Sequence, residues 1–157
     1  MKTQRKQLVA WLFKITQHIY TKYFKKNKPW HIKKQHLLQF PKDTFGYHLG
    51  LFLQHNGFEL IPKVERHDAY HVMTGYNTTE EDEIALQYLC FGNGKRSIYL
   101  FGVITIGSLI LPEYWKYYIK SYRIGKNANV FYNLNYKGLL NTSVSTLRSS
   151  IFINLNY

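Results

Sequence analysis

A chain of 157 residues, 45% hydrophobic and 19% charged, is the size of one domain with a single core, and neither a disordered tail nor a fibrous repeat. Its single cysteine, Cys90, excludes a disulfide framework and a cysteine-rich zinc module. The net charge of +12, from 21 Lys and Arg against 9 Asp and Glu, calls for an anionic partner surface, either nucleic acid or membrane head groups.

The charge is unevenly placed. The first 42 residues hold no acid and carry +11, whereas six of the nine acids fall between Glu65 and Glu83. Leu8, Leu12, Ile15, Ile19 and Tyr23 follow one another at spacings of three or four, which predicts a helix. Val9, Trp11, Phe13, Tyr20 and Phe24 widen its apolar face, and Gln7, Lys14, Gln17, His18, Thr21 and Lys25 form a narrow polar arc. A wide apolar face flanked by lysines reads as an interfacial membrane helix. A helix packed in the core on two sides, followed by a solvated lysine tail, is the other reading. A cleaved targeting segment is disfavoured, because lysine stands where arginine and serine would be expected.

Beyond the lysine-rich connector 25–34, the run 46–56 predicts a helix stopped by Gly57. Pro62 breaks the chain. A helix from about Lys63 to Thr74 follows, with Gly75 placed for the left-handed residue after a helix end. Thr78 or Thr79 caps the next helix, with Glu81 or Asp82 three residues on, and this helix ends near Gly92-Asn93-Gly94. The uncharged stretch 97–112 spans about 24 Å as a helix, short of a hydrocarbon core of about 30 Å, so a buried core helix is expected there. An aromatic, basic segment from Glu113 to Tyr122 turns at Gly125, and the weakly periodic tail predicts one more short helix with loose ends. The expected fold is mostly α: a single-domain helical bundle over residues 1–157, with a basic amphipathic segment at 1–42.

The residues that carry chemistry are His67, Asp68, His71 and Glu83. On a helix His67 and His71 share a face with β-carbons about 5–6 Å apart, a spacing at which two imidazoles can share one divalent ion. Asp68 sits about 100° round, placed to ligate or to orient a histidine. If the two helices run antiparallel across the short turn, Glu83 faces the pair. Such donors suit zinc, iron(II) or manganese. Two plainer readings stay open: Glu83 as one more first-turn acid with Glu80, Glu81 and Asp82, and the histidines as hydrogen-bonding groups at a helix end. His48 and His55, seven apart, could share a face near the site; His18, His31 and His36 carry no assignment.

Competing motifs fail. A zincin needs Glu directly after the first His, where Asp68 stands. A His-Asp phosphohydrolase needs a distant downstream Asp, and none follows Asp82. Gly92-Asn93-Gly94-Lys95 is too short for a phosphate loop and follows no strand. Cys90, on an apolar helix, is expected to be buried and inert.

The pattern His67-Asp68-x-x-His71, eleven residues and then Glu83, within RHDAYHVMTGYNTTEEDEIALQYL, resembles the signature of the coenzyme Q (ubiquinone) biosynthesis protein family Coq4. The resemblance runs over roughly residues 45–125, through the glycine-rich turn and on past LPEYWKYY. It implies an all-helical fold with a divalent metal, zinc or iron, on His67, Asp68, His71 and Glu83. It also implies a cytoplasmic protein peripheral to the inner membrane, acting in the head-group stage of quinone synthesis. There the ring carboxyl of a prenylated precursor would be exchanged for a hydroxyl by oxidative decarboxylation. Its partners would be the membrane surface, a prenylated lipid or quinone precursor, other quinone-biosynthesis proteins and a second copy of the chain. The alternative is a scaffold that holds a prenyl lipid around a structural metal. Nucleic-acid binding through the +11 segment has no motif behind it, and wide apolar faces favour lipid.

Overall fold

The computed structural model describes residues 2–23 and 28–153, the side chains of 2, 17, 18 and 20–23 excepted. Connector positions 24–27, and the side chains of Tyr20 and Tyr23 from the N-terminal stripe, therefore lie outside it. Among the described residues there are eight α-helices and no strand. They are α1 (Lys2–Tyr23), α2 (Lys34–Leu37), α3 (Phe45–His55), α4 (Glu65–Thr74), α5 (Glu80–Gly92), α6 (Ile98–Ile110), α7 (Trp115–Asn127) and α8 (Val144–Ile151).

Several boundaries follow from local chemistry. Gly75 takes the left-handed conformation (φ 75°) that closes α4, and its N–H donates to the His71 carbonyl. Thr79 caps α5 by accepting from the Asp82 N–H at 3.3 Å, and Thr44 and Ser97 cap α3 and α6 in the same way.

Helix α5 is the centre of the molecule. After its acidic first turn it is buried on nearly every side, as a helix apolar all round must be. Leu86, Leu89 and Cys90 join the main core with Phe45, Leu49, Tyr70 and Met73. Ile84, Ala85 and Tyr88 join a second cluster with Val9, Val103, Leu111 and Tyr118. Helix α7 lies against α5 closely enough that two glycines are required. A Cβ at Gly125 would collide with the Leu89 carbonyl oxygen, and one at Gly92 with that of Tyr122.

The tail is better ordered than its weak periodicity suggests. Phe131, Tyr136, Leu140, Leu147 and Ile151 all enter the main core. Asn93, just past α5 and itself buried, fastens the tail there. Its amide donates to the carbonyls of Gly125 (3.1 Å) and Asn129 (3.1 Å), and its Oδ1 accepts from the N–H groups of Phe131 (2.8 Å) and Tyr132 (3.1 Å). One buried side chain thus satisfies backbone groups that no helix or strand serves.

Helix α6 corrects an expectation. It is a helix, but not a buried one: Leu100, Val103 and Gly107 face inward, whereas Ile98 and Leu109 are 78% and 77% exposed, with Phe101 and Ile106 beside them. No single helix among the described residues is long and apolar enough to cross a membrane, whereas α6 and residues Pro112–Asn127, bent by 104°, have the length and composition together. The absence of charge reflected an apolar outer face rather than burial. Helix α1 behaves similarly. Val9 is buried, while Leu8, Trp11, Ile15 and Ile19 are exposed. Its first turns are fastened by Arg5 to Glu113 (2.9 Å) and by Lys6 to Glu81 (2.6 Å).

Between α1 and α6 runs an apolar groove of about 260 Å³, with Leu12, Phe13, Ile19, Tyr99, Val103 and Ile106 among its lining residues.

Candidate metal centre

Helices α4 and α5 meet across the short turn 75–79, and their facing sides bring His67, His71 and Glu83 together. His67 Nε2 lies 3.0 Å from one Glu83 carboxylate oxygen, His71 Nε2 3.2 Å from the other, and the two Nε2 atoms 3.2 Å from each other. His71 is buried, with His67 and Glu83 half-buried.

The protons at this site are constrained. His71 Nδ1 lies 3.0 Å from the Tyr76 carbonyl oxygen, which can only accept, so the proton sits on Nδ1 and a neutral His71 turns the lone pair of Nε2 inward. The His71 ring is also stacked on Phe52, with centroids 5.2 Å apart and 14° between planes. His67 Nε2 can give one proton either to Glu83 or to His71, not to both. With His71 neutral, acceptors outnumber donors and a cation could sit at the centre; with His71 protonated, both imidazoles can donate to Glu83 instead. The spacing of the cluster suits a cation: bonds of about 2.0–2.1 Å in a tetrahedral site put neighbouring donors about 3.3 Å apart.

The electrostatics are those of a tightly coupled group. Burial pushes the His67 imidazole down, against the pull of Glu83. For His71, burial works downward but is outweighed by the hydrogen bond and charge of Glu83 and by the Tyr76 carbonyl, so its proton is held more tightly than usual. Glu83 would be raised by burial, yet the two histidines hold it well below the ordinary carboxylate range.

Of the four residues expected here, the three at 67, 71 and 83 form the compact group, with ligand atoms all within 4.8 Å of one another. Asp68 stands outside it, half-buried, and its charge helps to raise His71. The neighbouring first-turn acids have separate partners: Glu81 pairs with Lys6, and Asp82 accepts from the Tyr117 hydroxyl at 2.6 Å. Tyr117 stacks on Tyr76, whose own hydroxyl donates to Ser121. Helix α7 thereby steadies the turn whose carbonyl orients His71. His48 and His55 line the same cavity as His71, about 490 Å³, together with Asn56 and Arg148. Cys90 is buried, and burial pushes its thiol up to about 11, so it is inert at neutral pH.

Two contributors were not foreseen. The Tyr76 carbonyl is a backbone group and carries no residue-type signal. Tyr99 lies in the uncharged helix α6, lines the α1–α6 groove, and is raised by burial first and then by the charge of Glu83.

The family described as Coenzyme Q (ubiquinone) biosynthesis protein Coq4 matches residues 62–156, which begins and ends later than the stretch 45–125 read from the motif. The tail after Gly125 is therefore part of the family pattern, in keeping with its place in the core. No curated protein gave a significant match. Among solved structures, the chain is similar to a provisionally named ubiquinone biosynthesis protein from Nostoc punctiforme, with 21% identity and a TM-score of 0.66 over 97% of this chain and 83% of that one. The fold is thus shared at low identity, and the match over residues 62–156, with the helical architecture, makes the chain a member of the Coq4 family of ubiquinone biosynthesis proteins.

Proposed function

We propose that the protein holds a divalent metal on His67, His71 and Glu83 and acts at the membrane surface on the aromatic head group of a prenylated quinone precursor. The observation that carries this reading is the convergence of three donor atoms 3.0–3.2 Å apart, with a histidine proton fixed outward on the Tyr76 carbonyl. Two imidazoles and a carboxylate suit zinc or iron(II). The reaction is the replacement of the ring carboxyl by a hydroxyl with loss of carbon dioxide, a two-electron oxidation in which dioxygen would be the electron acceptor: the aromatic acid, water and dioxygen give the phenol, carbon dioxide and hydrogen peroxide. A bound ion would polarise the ring oxygens, and iron would in addition take part in the oxidation.

This chain's own residues divide the remaining work. Glu83 and the two histidines hold the positive centre, and Asp68 raises the basicity of His71. Tyr99 lines the groove and feels the charge of Glu83. The α1–α6 groove takes the prenyl chain, since its walls are almost wholly hydrocarbon. The exposed apolar residues on both sides, Trp11 and Ile15 on α1 and Phe101 and Leu109 on α6, enter the lipid interface. Each contributes on the order of 1 kcal/mol there by burial of part of its surface.

The test is metal content by elemental mass spectrometry on untagged protein purified without chelator, beside His67→Ala, His71→Ala and Glu83→Ala. Near-stoichiometric metal in the parent and none in the variants is expected. Oxidative decarboxylation of a short-chain prenylated aromatic acid by the iron-loaded parent, lost in folded Glu83→Ala, would establish catalysis. Loss of the fold itself on metal removal would instead favour a structural metal in a lipid-binding scaffold. No metal in a folded parent after reconstitution with iron, zinc and manganese would sink the site.

A further inference from the structure

On a different part of the surface from the α1–α6 groove, a cavity of about 340 Å³ is lined by Lys28, Lys63, Arg66 and Lys137, with Trp30, Asn135 and Glu65 completing the wall. Four cations and one acid share this space, which leaves its wall net positive. Glu65 is buried, and one of its carboxylate oxygens accepts from the Trp30 N–H at 2.9 Å. None of the four cations makes an ion pair within 4.0 Å among the described residues, in contrast to Arg5, Lys6 and Lys34, which do. The positive charge of Arg66 also lowers the pKa of the Lys95 ammonium, second to burial.

The placement is electrostatically unfavourable in the protein alone. Lys63 and Arg66 flank the start of α4, where the helix dipole is positive, beside the first-turn acids Glu65 and Asp68. No side chain caps that helix end. Like charges gathered round a concave wall repel one another more strongly than on an open surface, because the walls exclude solvent. The arrangement becomes favourable when an anion with several acceptor oxygens enters. Lysine ammoniums and an arginine fork then make charge-assisted hydrogen bonds to it.

We propose that this cavity binds a phosphate group, with Lys63, Arg66 and Lys137 as the charged contacts and Trp30 as its apolar flank. The chemistry is that of a phosphomonoester, a diphosphate or a phospholipid head group. It requires nothing of the metal centre, and it stands whether or not a metal binds at His67.

The test uses the full chain at physiological ionic strength. Inorganic phosphate and diphosphate are titrated calorimetrically into the parent, into Lys63→Gln/Lys137→Gln, and into Lys33→Gln/Lys42→Gln as a control of equal charge change at exposed lysines elsewhere. Saturable binding that weakens about tenfold or more in the first variant and is unchanged in the control is expected. Circular dichroism verifies the fold of each variant, and Lys137→Gln alone replaces the double variant should that one misfold. In a second arm the proteins meet vesicles of phosphatidylcholine with or without phosphatidylglycerol. Loss of the phosphatidylglycerol-dependent binding in the cavity variant alone assigns the site to lipid head groups. Binding of soluble phosphate with vesicle affinity unchanged assigns it to a soluble phosphate. Equal weakening in both variants, or no saturable binding of phosphate, diphosphate or phosphatidylglycerol, overturns the proposal.

Discussion

The α4–α5 corner and the α1–α6 face depart from ordinary protein composition in opposite directions. The corner takes three ionisable side chains out of water, each of which costs several kcal/mol unless a partner compensates it. The face leaves Ile98, Leu109, Trp11 and other large apolar side chains in contact with water, where they contribute little to the fold. The corner is braced from every side, by Phe52, the Tyr76 carbonyl and the α7 tyrosines, whereas α1 is fastened by Arg5, Lys6 and Val9 in its first turns. Under the proposed function the two regions take different occupants, an ion at the corner and a hydrocarbon phase at the face.

The largest effect that would separate the two regions is on metal. Glu83→Ala or His71→Ala should abolish metal binding while leaving vesicle affinity as it was, read by elemental analysis and co-sedimentation. Loss of both properties together would mean that the corner and the face are one folding unit rather than two sites. The metal should also be pH-dependent. Because the net shift of His71 is upward, with Glu83 overcoming burial, its proton competes with the metal from a higher pH than a free histidine's would. Affinity should therefore be full above that range and fall about tenfold per pH unit below it for each proton displaced, in metal titrations across a pH series.

Asp68→Asn should be milder, lowering metal affinity about 10- to 100-fold without changing the ligand set, as is usual for a residue that tunes a ligand. A spectroscopic change at a cobalt-substituted centre as large as that of Glu83→Ala would make Asp68 a direct ligand instead. Gly125→Ala should destabilise the fold by about 1–3 kcal/mol through its collision with Leu89, measured by denaturant unfolding. The smallest stability effect belongs to the face. Ile98→Glu with Leu109→Glu should change unfolding free energy by less than about 0.5 kcal/mol each, yet markedly weaken vesicle binding. A large destabilisation there would show that these side chains are covered by protein in solution.

What could be read from sequence was what depends on near neighbours. Gly75 and Thr79 end and begin helices through their own backbone and side-chain chemistry, and the short turn between them sets His71 and Glu83 at the same height. The spacing from His67 to Glu83 was therefore enough to find the three donors. Whether Asp68 ligates or only orients a histidine depends on how α4 is rotated against α5, which spacing does not set. The exposure of α6 was illegible for a related reason: an uncharged helix looks the same whether protein or lipid covers it. The tail was underestimated because its anchors, Phe131 and Tyr136, enter the core from irregular chain without periodicity, held by one asparagine that resembled a helix stop.

That asparagine gives a loop the kinetics of a core helix. Because Asn93 holds the N–H groups of Phe131 and Tyr132 while its own backbone N–H donates to the Leu89 carbonyl, those two amides can open only when the end of α5 comes apart with them. Residues 131 and 132, outside any helix, should exchange their amide hydrogens as slowly as the interior of α5. Residues 131 and 132 and the end of the helix that carries Glu83 would in this respect open as one unit.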